Sequence, residues 1–536
     1  MNLWYGRGAT LTGYGSLPLC FLPGISPPRA VLGDGGGSRA TAIMQPTLEM
    51  LLADFEIKDM RGSAKVGVRG LAMDSRRVEP GTLFFALSGQ RTDGHFFVEE
   101  AIERGALGIV SEQPLSSVER GVTYIQVTDA RAVLARMAAR FYRHPDAAMK
   151  VIGITGTNGK TTVAMLTQFL LQRAGCKTGM TGTVHYDLGE RILPASLTMP
   201  AAVDLYALLD QMRRAGCSHS VVEATSHGIV QKRADGLRLD AAAFLNLTQD
   251  HMDYHGSMEA YFAVKRRLFD GSNGHLPRIA VVNSDDPYGR RLLDVLPDGV
   301  EVVTFGQMAG EAMIRASEVV LRPEGTTFTV QWPEGRARVC SPLLGGYNVS
   351  NVLAALALCQ AEGLALGPLV ADLAEFPSVP GRMERVDAGQ GFSVLVDFAH
   401  TDDALKHALV MLRGMTPGRL LVVFGCGGER DREKRPLMTR VVHDYADRGW
   451  ATSDNPRGES LEQIFADMRK GLPQCCGSEI RFVEDRREAI GQALAAACEG
   501  DCVLIAGKGH EAFQNWGNTV AAFDDRAVAR EWLDRS

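Results

Sequence analysis

The residues with the clearest chemical signature lie in one stretch, residues 149–175, with the sequence MKVIGITGTNGKTTVAMLTQFLLQRAG. The run GTNGKTT places Gly156 and Gly159 close before Lys160 and Thr161. A glycine-rich turn at the start of a helix presents backbone N–H groups that suit a polyphosphate. The lysine can reach the terminal phosphates, and the threonine hydroxyl can bind Mg²⁺. The stretch therefore predicts a polyphosphate site.

The loop is shorter than the full phosphate-loop pattern, which has a glycine five positions before Gly159, where this chain has Ile154. We expect Gly156, Asn158 and Gly159 to let successive backbone N–H groups point into one concavity. A glycine-rich turn without a ligand is the plain alternative. A β-branched strand comes before the loop, and apolar residues at helical spacing come after it. The phosphate site is favoured because the strand, the glycine loop, the Lys-Thr pair and the helix all agree.

Two further segments carry residues suited to metal chemistry. Glu223 ends the apolar run HSVVE, where a carboxylate beside a parallel-sheet phosphate site can hold Mg²⁺; a merely solvated glutamate is the alternative. The segment TQDHMDYHG groups His251 and His255 with Asp250 and Asp253. This group lacks cysteines and the spacing of a helical histidine pair, so contact with Mg²⁺ or substrate is favoured over zinc.

Three segments follow in the middle of the chain. Lys265 lies in the predicted helix MEAYFAVKRRLFD and could be an ordinary surface residue. LLGGYNVSNVLAALALCQAEG reads as a glycine loop and an apolar helix, whose start Asn348 could cap. PSVPGRMERV places Arg382 in a connector bounded by proline and glycine, a composition typical of a hinge between domains.

The last third of the chain alternates strands and helices, with strands predicted at FSVLVDF, LLVVFGCG, RGWATSD, EIRFVED and CVLIAG. Four loops at strand ends have unusual sequences, which are DFAHTDDAL, GCGGERDREKRP, SDNPRGES and AGKGHE. Ligands bind outside the carboxyl ends of parallel strands, so we expect these loops to line one face. This pattern predicts a doubly wound, Rossmann-like sheet with a ligand site.

The 536 residues are too many for one hydrophobic core, and the alternation of strands and helices indicates an α/β protein. We predict a first α/β domain at 46–147, with a strand at LFFAL, a helix near 98–104 and a strand at 108–110. A central domain with a mostly parallel sheet follows at 148–379, and a C-terminal domain at 380–536. In the first domain, Asp74, Ser75 and Arg76 precede a Pro-Gly turn, and they could simply stabilise that turn.

Composition narrows the class of protein. A net charge of -6 gives no reason to expect nucleic acid binding. Ten cysteines without paired metal spacing favour reduced thiols in a cytoplasm, and no run approaches 18 apolar residues, so no membrane span is expected. Residues 1–45 are rich in glycine and proline and lack periodicity, which predicts a disordered extension or a mis-assigned start before Met44.

Taken together, the motifs resemble the Mur ligases, and within them the MurE type. The resemblance covers about Met73 to His510 and beyond, and it rests on GTNGKTT, EATSH, DHMDYHG, Lys265, YNVSN, PGRMER, VDFAHT, GCGGERD, DNPR and GKGHE. It implies ligation of an amino acid to a UDP-muramoyl peptide with ATP in peptidoglycan synthesis. It also implies a nucleotide-sugar-binding first domain, a central phosphate-loop ATPase domain and a C-terminal domain that binds the amino acid. We expect a monomer.

The resemblance also implies roles for individual residues. ATP would be bound by Gly156, Thr157, Asn158, Gly159, Lys160, Thr161, Thr162, Asn348, Asp397 and His400, and catalysis would use Lys160, His251, Lys265 and Arg382. Magnesium would be held by Thr161, Glu223, His251 and Lys265, the last as a carbamate (N6-carboxylysine). The sugar nucleotide would contact Ser75, Gln90, Arg91, Thr92, Thr198, Met199, Thr225, Gln231 and Arg233. The amino acid would contact Arg430, Asp454, Asn455, Pro456, Arg457, Gly507 and Glu511.

Three residues depart from the motifs of the family. Met199 stands where a threonine is usual, Thr225 replaces a serine, and Asp402 replaces a proline. These departures affect individual contacts rather than the reaction.

The chemistry implied by the resemblance needs no covalent enzyme nucleophile. ATP phosphorylates the terminal D-glutamate carboxylate, and an incoming amine displaces phosphate through a tetrahedral intermediate. Lys160, Arg382 and Mg²⁺ could stabilise the charge that develops, while domain closure holds the reactants together. Arg457 offers a planar fork for a second carboxylate, which predicts meso-diaminopimelate rather than L-lysine as the amino acid, with Asp454 and Glu511 suited to the ammonium groups.

Two other interpretations remain open from the sequence. A folylpolyglutamate synthetase would share the central domain, but the DSR-containing first domain and DNPR disfavour it. A non-catalytic phosphate-loop module would bind nucleotide without turnover. Phosphate release that requires both a UDP-muramoyl dipeptide and an amino acid separates these possibilities.

We predict that residues 1–43 contribute nothing to catalysis, because their composition cannot bury a core. A chain that starts at Met44 should match the full chain in ligase rate and in thermal unfolding midpoint. A large loss of either property in the shorter chain would reject this prediction.

Overall fold

The computed structural model of the protein describes residues 45–89, 92–114, 121–308, 310–473 and 479–535. The predicted N-terminal extension, apart from its last residue, and the predicted contact residues Gln90 and Arg91 lie outside these ranges. Three α/β units follow one another along the chain, each built on a sheet of its own. The predicted α/β class with three units and mainly parallel sheets is confirmed.

The first unit packs two layers of helix against a small sheet. Its strands are β1 (Ile57–Arg61), β2 (Gly70–Ala72), β3 (Thr82–Ala86), β4 (Gly108–Ser111) and β5 (Thr123–Val127), and its helices are α1 (Leu48–Leu52), α2 (Val98–Glu103) and α3 (Ala130–Phe141). The sheet order is β1-β5-β4-β3-β2, parallel except for β1. All five residues of β3 are buried, as its unbroken apolar run predicts.

The central unit is the largest. Its strands are β6 (Lys150–Thr155), β7 (Thr178–Thr181), β8 (His185–Asp187), β9 (Ile192–Pro194), β10 (His219–Glu223), β11 (Ala241–Phe244), β12 (Ile279–Asn283), β13 (Glu301–Gly306), β14 (Ile314–Arg322), β15 (Gly325–Trp332) and β16 (Gly335–Ser341). Its helices are α4 (Lys160–Arg173), α5 (Ala202–Arg214), α6 (Ser226–Val230), α7 (Met252–His255), α8 (Met258–Arg266), α9 (Pro287–Leu293), α10 (Gly346–Ala361) and α11 (Leu366–Asp372).

The sheet of the central unit runs β16-β15-β14-β13-β12-β11-β6-β10-β7-β8-β9. The strands from β14 to β7 in this order are parallel, and antiparallel strands extend both edges. Strand β6 lies inside the sheet between β11 and β10, and its two faces contribute Val151 and Ile152 to different apolar cores. The carboxyl ends of β7, β10, β6 and β11 therefore meet side by side.

The third unit has strands β17 (Glu384–Arg385), β18 (Ser393–Asp397), β19 (Leu420–Cys426), β20 (Arg448–Ser453), β21 (Ile480–Phe482), β22 (Cys502–Ala506), β23 (Phe513–Asn515) and β24 (Val520–Ala522). Its helices are α12 (Asp402–Arg413), α13 (Lys434–Tyr445), α14 (Leu461–Arg469), α15 (Arg486–Ala496) and α16 (Asp525–Leu533). The main sheet runs β17-β18-β22-β19-β20-β21, and β23 pairs with β24 in a separate hairpin. All five strands predicted for this region are present.

One local prediction is wrong. Asn348 does not cap α10, because it lies inside the first turn of that helix and the N-cap residue is Gly345, without a side-chain cap. The Asn348 side-chain amide instead donates to the carbonyl of Leu344, 2.7 Å away, and its oxygen accepts from Asn351 at 2.8 Å. The side chain therefore ties the helix to the preceding glycine loop.

The units touch through a few specific contacts. Arg77 of the first unit forms an ion pair with Asp204 of α5, with 2.8 Å between Nη2 and Oδ1. The seam between the central and third units includes Gly345, the N-cap residue of α10, where an added Cβ would lie 2.2 Å from Sδ of Met411 on α12. Gly381 of the predicted hinge packs within the third unit, where an added Cβ would lie 2.0 Å from the backbone nitrogen of His510, so only glycine fits there. Among the described residues, none of the helices is both long and apolar enough to cross a membrane.

Candidate active site

The phosphate loop connects β6 to α4 as predicted. Gly159 has a φ of 88°, and an added Cβ would lie 2.4 Å from Oδ1 of Asn351 on α10, so both the backbone and the space require glycine. The Lys160 Nζ donates to the carbonyls of Gly156 and Thr157 at 3.0 and 2.9 Å. Burial lowers the pKa of this ammonium, Glu223 opposes that effect, and the neighbouring charge of Arg382 adds to it.

The prediction that successive N–H groups of the loop point into one concavity is partly wrong. The N–H groups of Thr157 and Asn158 do not point to an open cradle, because they donate to the backbone oxygen and the side-chain oxygen of Asn246 at 3.0 and 2.9 Å. Asn246 follows β11, and its own side-chain amide donates back to the Asn158 carbonyl at 3.1 Å. The groups left for a phosphate are the N–H groups at the start of α4, where four amides have no partner within the helix.

Glu223 and Thr161 form a compact oxygen cluster at the ends of adjacent strands. The Thr161 hydroxyl lies 3.0 Å from Oε2 of the buried Glu223. Thr183, two residues beyond β7, donates its N–H to Oε1 at 2.9 Å and its hydroxyl lies 3.1 Å from Oε2. Gly182 makes this approach possible, because an added Cβ would be 2.2 Å from Oε1. Burial raises the pKa of Glu223 despite these hydrogen bonds.

Lys265 is not a surface residue, since it is only 1% exposed. Its Nζ donates to the carbonyl of Gly156 at 2.8 Å and lies 4.7 Å from the ring centroid of Tyr261. That carbonyl is shared with Lys160, so two amines converge on one oxygen. Burial lowers the pKa of Lys265 well below its ordinary value, and the charge of Lys160 lowers it further. The surroundings of Lys265 therefore disfavour the charged form of its amine.

The histidine-rich loop after β11 lies beside this site. His251 has a left-handed backbone with a φ of 53°, and its ring meets the ring of His227 edge to face, with centroids 4.8 Å apart. His255 stacks on Tyr261 at 4.6 Å and contacts the Ser226 hydroxyl at 3.0 Å. Within the described ranges, no group of three or more His, Cys, Asp or Glu residues has the geometry of a metal site.

A second set of predicted residues lies where the central and third units meet. The guanidinium of Arg382 stacks over the ring of Phe398, 4.8 Å from its centroid. Asp397 ends β18 and accepts from the N–H groups of Met383 and Ala399, both at 2.8 Å, while burial raises its pKa. The exposed His400 lies against the same Phe398 ring at 4.6 Å. Arg382 and Lys160 thus bring positive charge to the seam from two units.

The predicted sugar-nucleotide residues fall in two places. Near the oxygen cluster, Thr198 contacts the Thr183 hydroxyl at 3.1 Å, and the buried Met199 accepts from Arg233 through its carbonyl at 2.5 Å. Gln231 accepts from the same guanidinium at 2.7 Å. Thr225 caps α6, a role that a serine hydroxyl could equally fill.

In the first unit, the Ser75 hydroxyl donates to Glu100 at 2.7 Å, and Thr92 is exposed on the loop before α2. Asp74 has the structural role in a turn that the sequence left open, because its carboxylate caps a short 3₁₀ helix at Ser75–Arg77. Asp402 begins α12 as its first residue, and the N-cap residue is Thr401.

The predicted amino-acid residues meet at the carboxyl ends of β20 and β22. Asp454 and Asn455 follow β20, and Gly507 follows β22 with a φ of 115°. The Asn455 amide donates to Glu511 at 2.8 Å. An added Cβ on Gly507 would lie 2.9 Å from Oδ2 of Asp454, so glycine leaves room for the carboxylate. The fully buried Lys508 reaches the same Glu511 oxygen at 3.2 Å.

Arg457 lies on the rim of this pocket beside Arg430. Its Nη1 donates to the carbonyl of Gly428 at 2.8 Å, and its backbone N–H donates to Asn515 at 2.9 Å. Burial lowers the pKa of Arg457, and the nearby charge of Arg430 lowers it further. Two guanidinium groups held this close favour an anion between them. The DNPR segment does not cap the next helix, since the N-cap of α14 is Ser460.

Comparisons with known proteins decide the family. The Mur ligase middle domain matches residues 154–359, the family described as Mur ligase, glutamate ligase domain matches residues 381–509, and the family described as Mur ligase family, catalytic domain matches residues 67–142. A protein of Solibacter usitatus (strain Ellin6076) is 45% identical over 470 residues, which are 88% of this chain and 94% of that protein. A protein of Geobacillus kaustophilus (strain HTA426) is 44% identical over 464 residues, 86% of this chain and 94% of that protein.

The chain belongs to the Mur ligase family. Both relatives are named UDP-N-acetylmuramoyl-L-alanyl-D-glutamate–2,6-diaminopimelate ligase. A solved structure with the same name is similar to this chain, with a TM-score of 0.66 and 34% identity, and covers 92% of this chain and 99% of its own. The resemblance predicted from the motifs is therefore confirmed, and with it the class of ATP-dependent ligases that form amide bonds.

Sequence reasoning missed three residues of this Mur ligase site. Thr183 and Asn246 follow β7 and β11, but neither belongs to a recognisable motif, and only the strand order shows that these ends flank the phosphate loop. Lys508 lies in AGKGHE, one of the four loops predicted to line a ligand site. A lysine between two glycines after a buried strand could have indicated a site residue. Its complete burial was not foreseeable from its type.

We expect the hydroxyl of Thr183 to matter for stability because it bonds to the buried Glu223. Replacement Thr183→Val should lower the free energy of unfolding by about 1 to 3 kcal/mol, since it leaves a buried carboxyl oxygen with one partner fewer. Thr181→Val is a matched control two residues away, because the Thr181 hydroxyl is buried without a hydrogen-bond partner among the described residues. Urea unfolding of both variants tests this, and equal losses would contradict the role given to Thr183.

Proposed function

We propose that this Mur ligase uses ATP to join meso-diaminopimelate to UDP-N-acetylmuramoyl-L-alanyl-D-glutamate in peptidoglycan biosynthesis. The observation that carries the proposal is the group of charges at the ends of β20 and β22, where Arg457 lies near Arg430 and near the carboxylates of Asp454 and Glu511. An amino acid with two carboxylates and two ammonium groups matches this arrangement of charge. The names of the relatives support the same substrates.

The oxygen cluster at the central sheet suits Mg²⁺. Glu223 and Thr161 are hard oxygen donors 3.0 Å apart, and burial raises the pKa of the Glu223 carboxyl group. We expect Thr161 and Glu223 to hold the ion. Bound there, Mg²⁺ would neutralise charge on the phosphates of ATP. His251 lies on the neighbouring loop with Asp250 and His227, so its contact with the ion stays a prediction.

The reaction begins with attack of the D-glutamate carboxylate on the γ-phosphorus of ATP. A bond forms between a carboxylate oxygen and phosphorus, and the bond to ADP breaks. The amine of diaminopimelate then attacks the acyl carbon, and the tetrahedral intermediate loses phosphate and a proton to leave the amide. Lys160 and Arg382 bring cations from the central and third units to where this negative charge develops. Asn348 and Asp397 would complete the ATP site at the same seam, with His400 at its edge.

Residues of two sheets must cooperate in this scheme. The acyl phosphate forms at the phosphate loop of the central unit, whereas the amino acid binds at the sheet of the third unit. The nearness of Arg382 to Lys160 and the tight contact of Gly345 with Met411 support a route by which the two sites approach each other. A sugar-nucleotide site along Thr198, Met199, Thr225, Gln231 and Arg233 would place the dipeptide toward the oxygen cluster.

Lys265 is proposed to act as a carbamate. Its neutral amine can attack CO₂, forming a C–N bond and releasing a proton, and the anionic product supplies an oxygen ligand for a hard cation. The lowered pKa supports this step, because only an unprotonated amine can react. An ammonium at the same place would repel both Mg²⁺ and Lys160.

The competing interpretations are weaker in view of the site. The first unit matches a Mur ligase family in its own right, which a folylpolyglutamate synthetase interpretation leaves without a role. A non-catalytic nucleotide-binding module leaves the charged pocket at the ends of β20 and β22 unexplained. We further propose a monomer that acts in the cytoplasm without nucleic acid or membrane partners, in line with the free thiols of the cysteines in the described part of the chain.

Replacement Lys265→Ala should abolish most ligase activity, because it removes the proposed anionic ligand. Lys58→Ala is a matched control, since Lys58 is exposed on β1, and its rate should be unchanged. Crystallographic density, or carbon NMR in isotopically labelled bicarbonate, should show a carbamate on Lys265. A free amine at this position in an active, nucleotide-bound enzyme would contradict the carbamate.

Replacement Arg457→Ala should reduce kcat/KM for meso-diaminopimelate by about tenfold to a hundredfold, the cost of a lost charge-assisted contact of about 1.5 to 3 kcal/mol. The unmodified enzyme should prefer meso-diaminopimelate over L-lysine, because an arginine pair facing an empty subsite disfavours lysine. Ligation rates with both amino acids test this, with Arg481→Ala, exposed on β21, as a control that changes neither rate. Equal or better use of L-lysine by the unmodified enzyme would reject the assignment of substrate.

A further inference from the structure

The third unit contains a fully buried ion pair that takes no part in the chemistry above. Arg486 and Asp525 each have side chains that are 0% exposed. The pair is bidentate, with Nε to Oδ1 and Nη2 to Oδ2 both at 2.7 Å. Burial opposes the charge on Arg486, but the adjacent Asp525 outweighs burial and raises the pKa of the guanidinium.

The two residues are the first residues of neighbouring helices. Arg486 begins α15 and Asp525 begins α16. The preceding aspartates, Asp485 and Asp524, cap the helices by accepting from backbone N–H groups, so capping does not occupy the pair itself. The helices pack tightly, because an added Cβ at Gly491 would lie 2.4 Å from the ring of Trp532. Asp525 on α16 thus fixes the guanidinium of Arg486 between the two helices and the sheet.

The remaining hydrogen bonds of Arg486 reach the ends of two strands. Nη2 donates to the carbonyl of Ala506, the last residue of β22, at 3.0 Å. Nη1 donates to the carbonyl of Ser453, the last residue of β20, at 3.4 Å. The residues that follow, Asp454 and Gly507, belong to the pocket proposed for the amino acid.

The sheet joins these two strands only through β19, which lies between them. The pairing of β19 with β20 reaches Ser453, but its pairing with β22 ends at Ile505, so no ladder hydrogen bond links the ends at Ser453 and Ala506 directly. Arg486 spans this gap with one rigid, planar group, which a lysine could not do because its ammonium is a point donor on a flexible stem. A contribution to stability does not by itself explain the pair, because well-packed apolar residues often stabilise a protein as much as a buried ion pair does.

We infer that Arg486, held by Asp525, is a positioning residue that sets the spacing between the two halves of the amino-acid pocket. This inference rests on the proposed function, since it concerns the same pocket. It assigns Arg486 no contact with substrate. Its effect is to hold Asp454 and Asn455 on one side, and Gly507 and Lys508 on the other, at the separation that the amino acid requires.

The test is the KM of the purified, full-length enzyme for each substrate in Arg486→Lys and Asp525→Asn. Arg486→Lys should raise the KM for diaminopimelate by about tenfold, as expected for the loss of fixed hydrogen bonds, and change the KM for ATP and for the UDP-linked dipeptide by less than about twofold. Asp525→Asn keeps one acceptor oxygen and should give a smaller rise of the same kind. KM does not depend on the fraction of enzyme that is folded, so partial unfolding cannot imitate this result.

A matched control lies at the opposite edge of the same sheet. Arg419 pairs with Asp501 at 2.7 Å and donates to the carbonyl of Ala496 at 2.8 Å, near the amino ends of β19 and β22. Arg419→Lys should leave the KM for the amino acid unchanged even if it lowers the thermal unfolding midpoint.

An unchanged KM for the amino acid in both Arg486→Lys and Asp525→Asn, with only kcat or stability reduced, would overturn the inference and leave the pair a purely structural one. The outcome is separable from the proposed function. If the unmodified enzyme ligates L-lysine in place of diaminopimelate, the substrate assignment fails, and the same KM comparison with L-lysine still tests Arg486.

Discussion

Buried charge at the carboxyl edge of the central sheet is the constraint on which the rest of the site depends. Glu223, Lys160 and Lys265 lie around one phosphate loop, and Lys160 and Lys265 share a single carbonyl oxygen. Isolated charges of this kind are costly to bury, so each must be neutralised, paired or changed in protonation state. The raised pKa of Glu223 and the lowered pKa of Lys265 are both responses to that cost. A magnesium–nucleotide complex and a carbamate would resolve it.

The position of this cluster follows from the order of the strands. Strands β7, β10, β6 and β11 are adjacent and parallel, so their carboxyl ends bring together residues far apart in sequence, such as Thr183, Glu223 and Asn246. Small residues allow the approach: Gly182 admits the Glu223 carboxylate, and Gly159 admits Asn351 of α10. Substitution at either glycine would put a carbon atom 2.2 or 2.4 Å from a side-chain oxygen, which is a steric clash.

The amino-acid pocket proposed for the third unit combines both signs of charge, as one small zwitterionic ligand requires. Arg430 and Arg457 lie on the rim, while Asp454 and Glu511 lie deeper beside the buried Lys508. The Arg486–Asp525 pair stands behind these residues and contacts the strand ends that carry them. The inferred positioning role of Arg486 would make the pocket depend on this polar connection in addition to the ladder hydrogen bonds.

The sequence by itself determined the α/β architecture and the family of the protein. Unbroken apolar runs predicted strands such as β3, β19 and β22, because strands buried on both faces tolerate few polar residues. The GTNGKTT run and the four strand-end loops predicted where ligands bind, because glycine, lysine and carboxylates there have few structural uses. Only the tertiary structure decided what depends on strand order and depth: the part of Thr183, Asn246 and Arg486, the burial of Lys265, and the use of Asn348 as a tie rather than a cap. These are contacts between residues distant along the chain, and neither residue type nor local periodicity encodes which strand ends become neighbours.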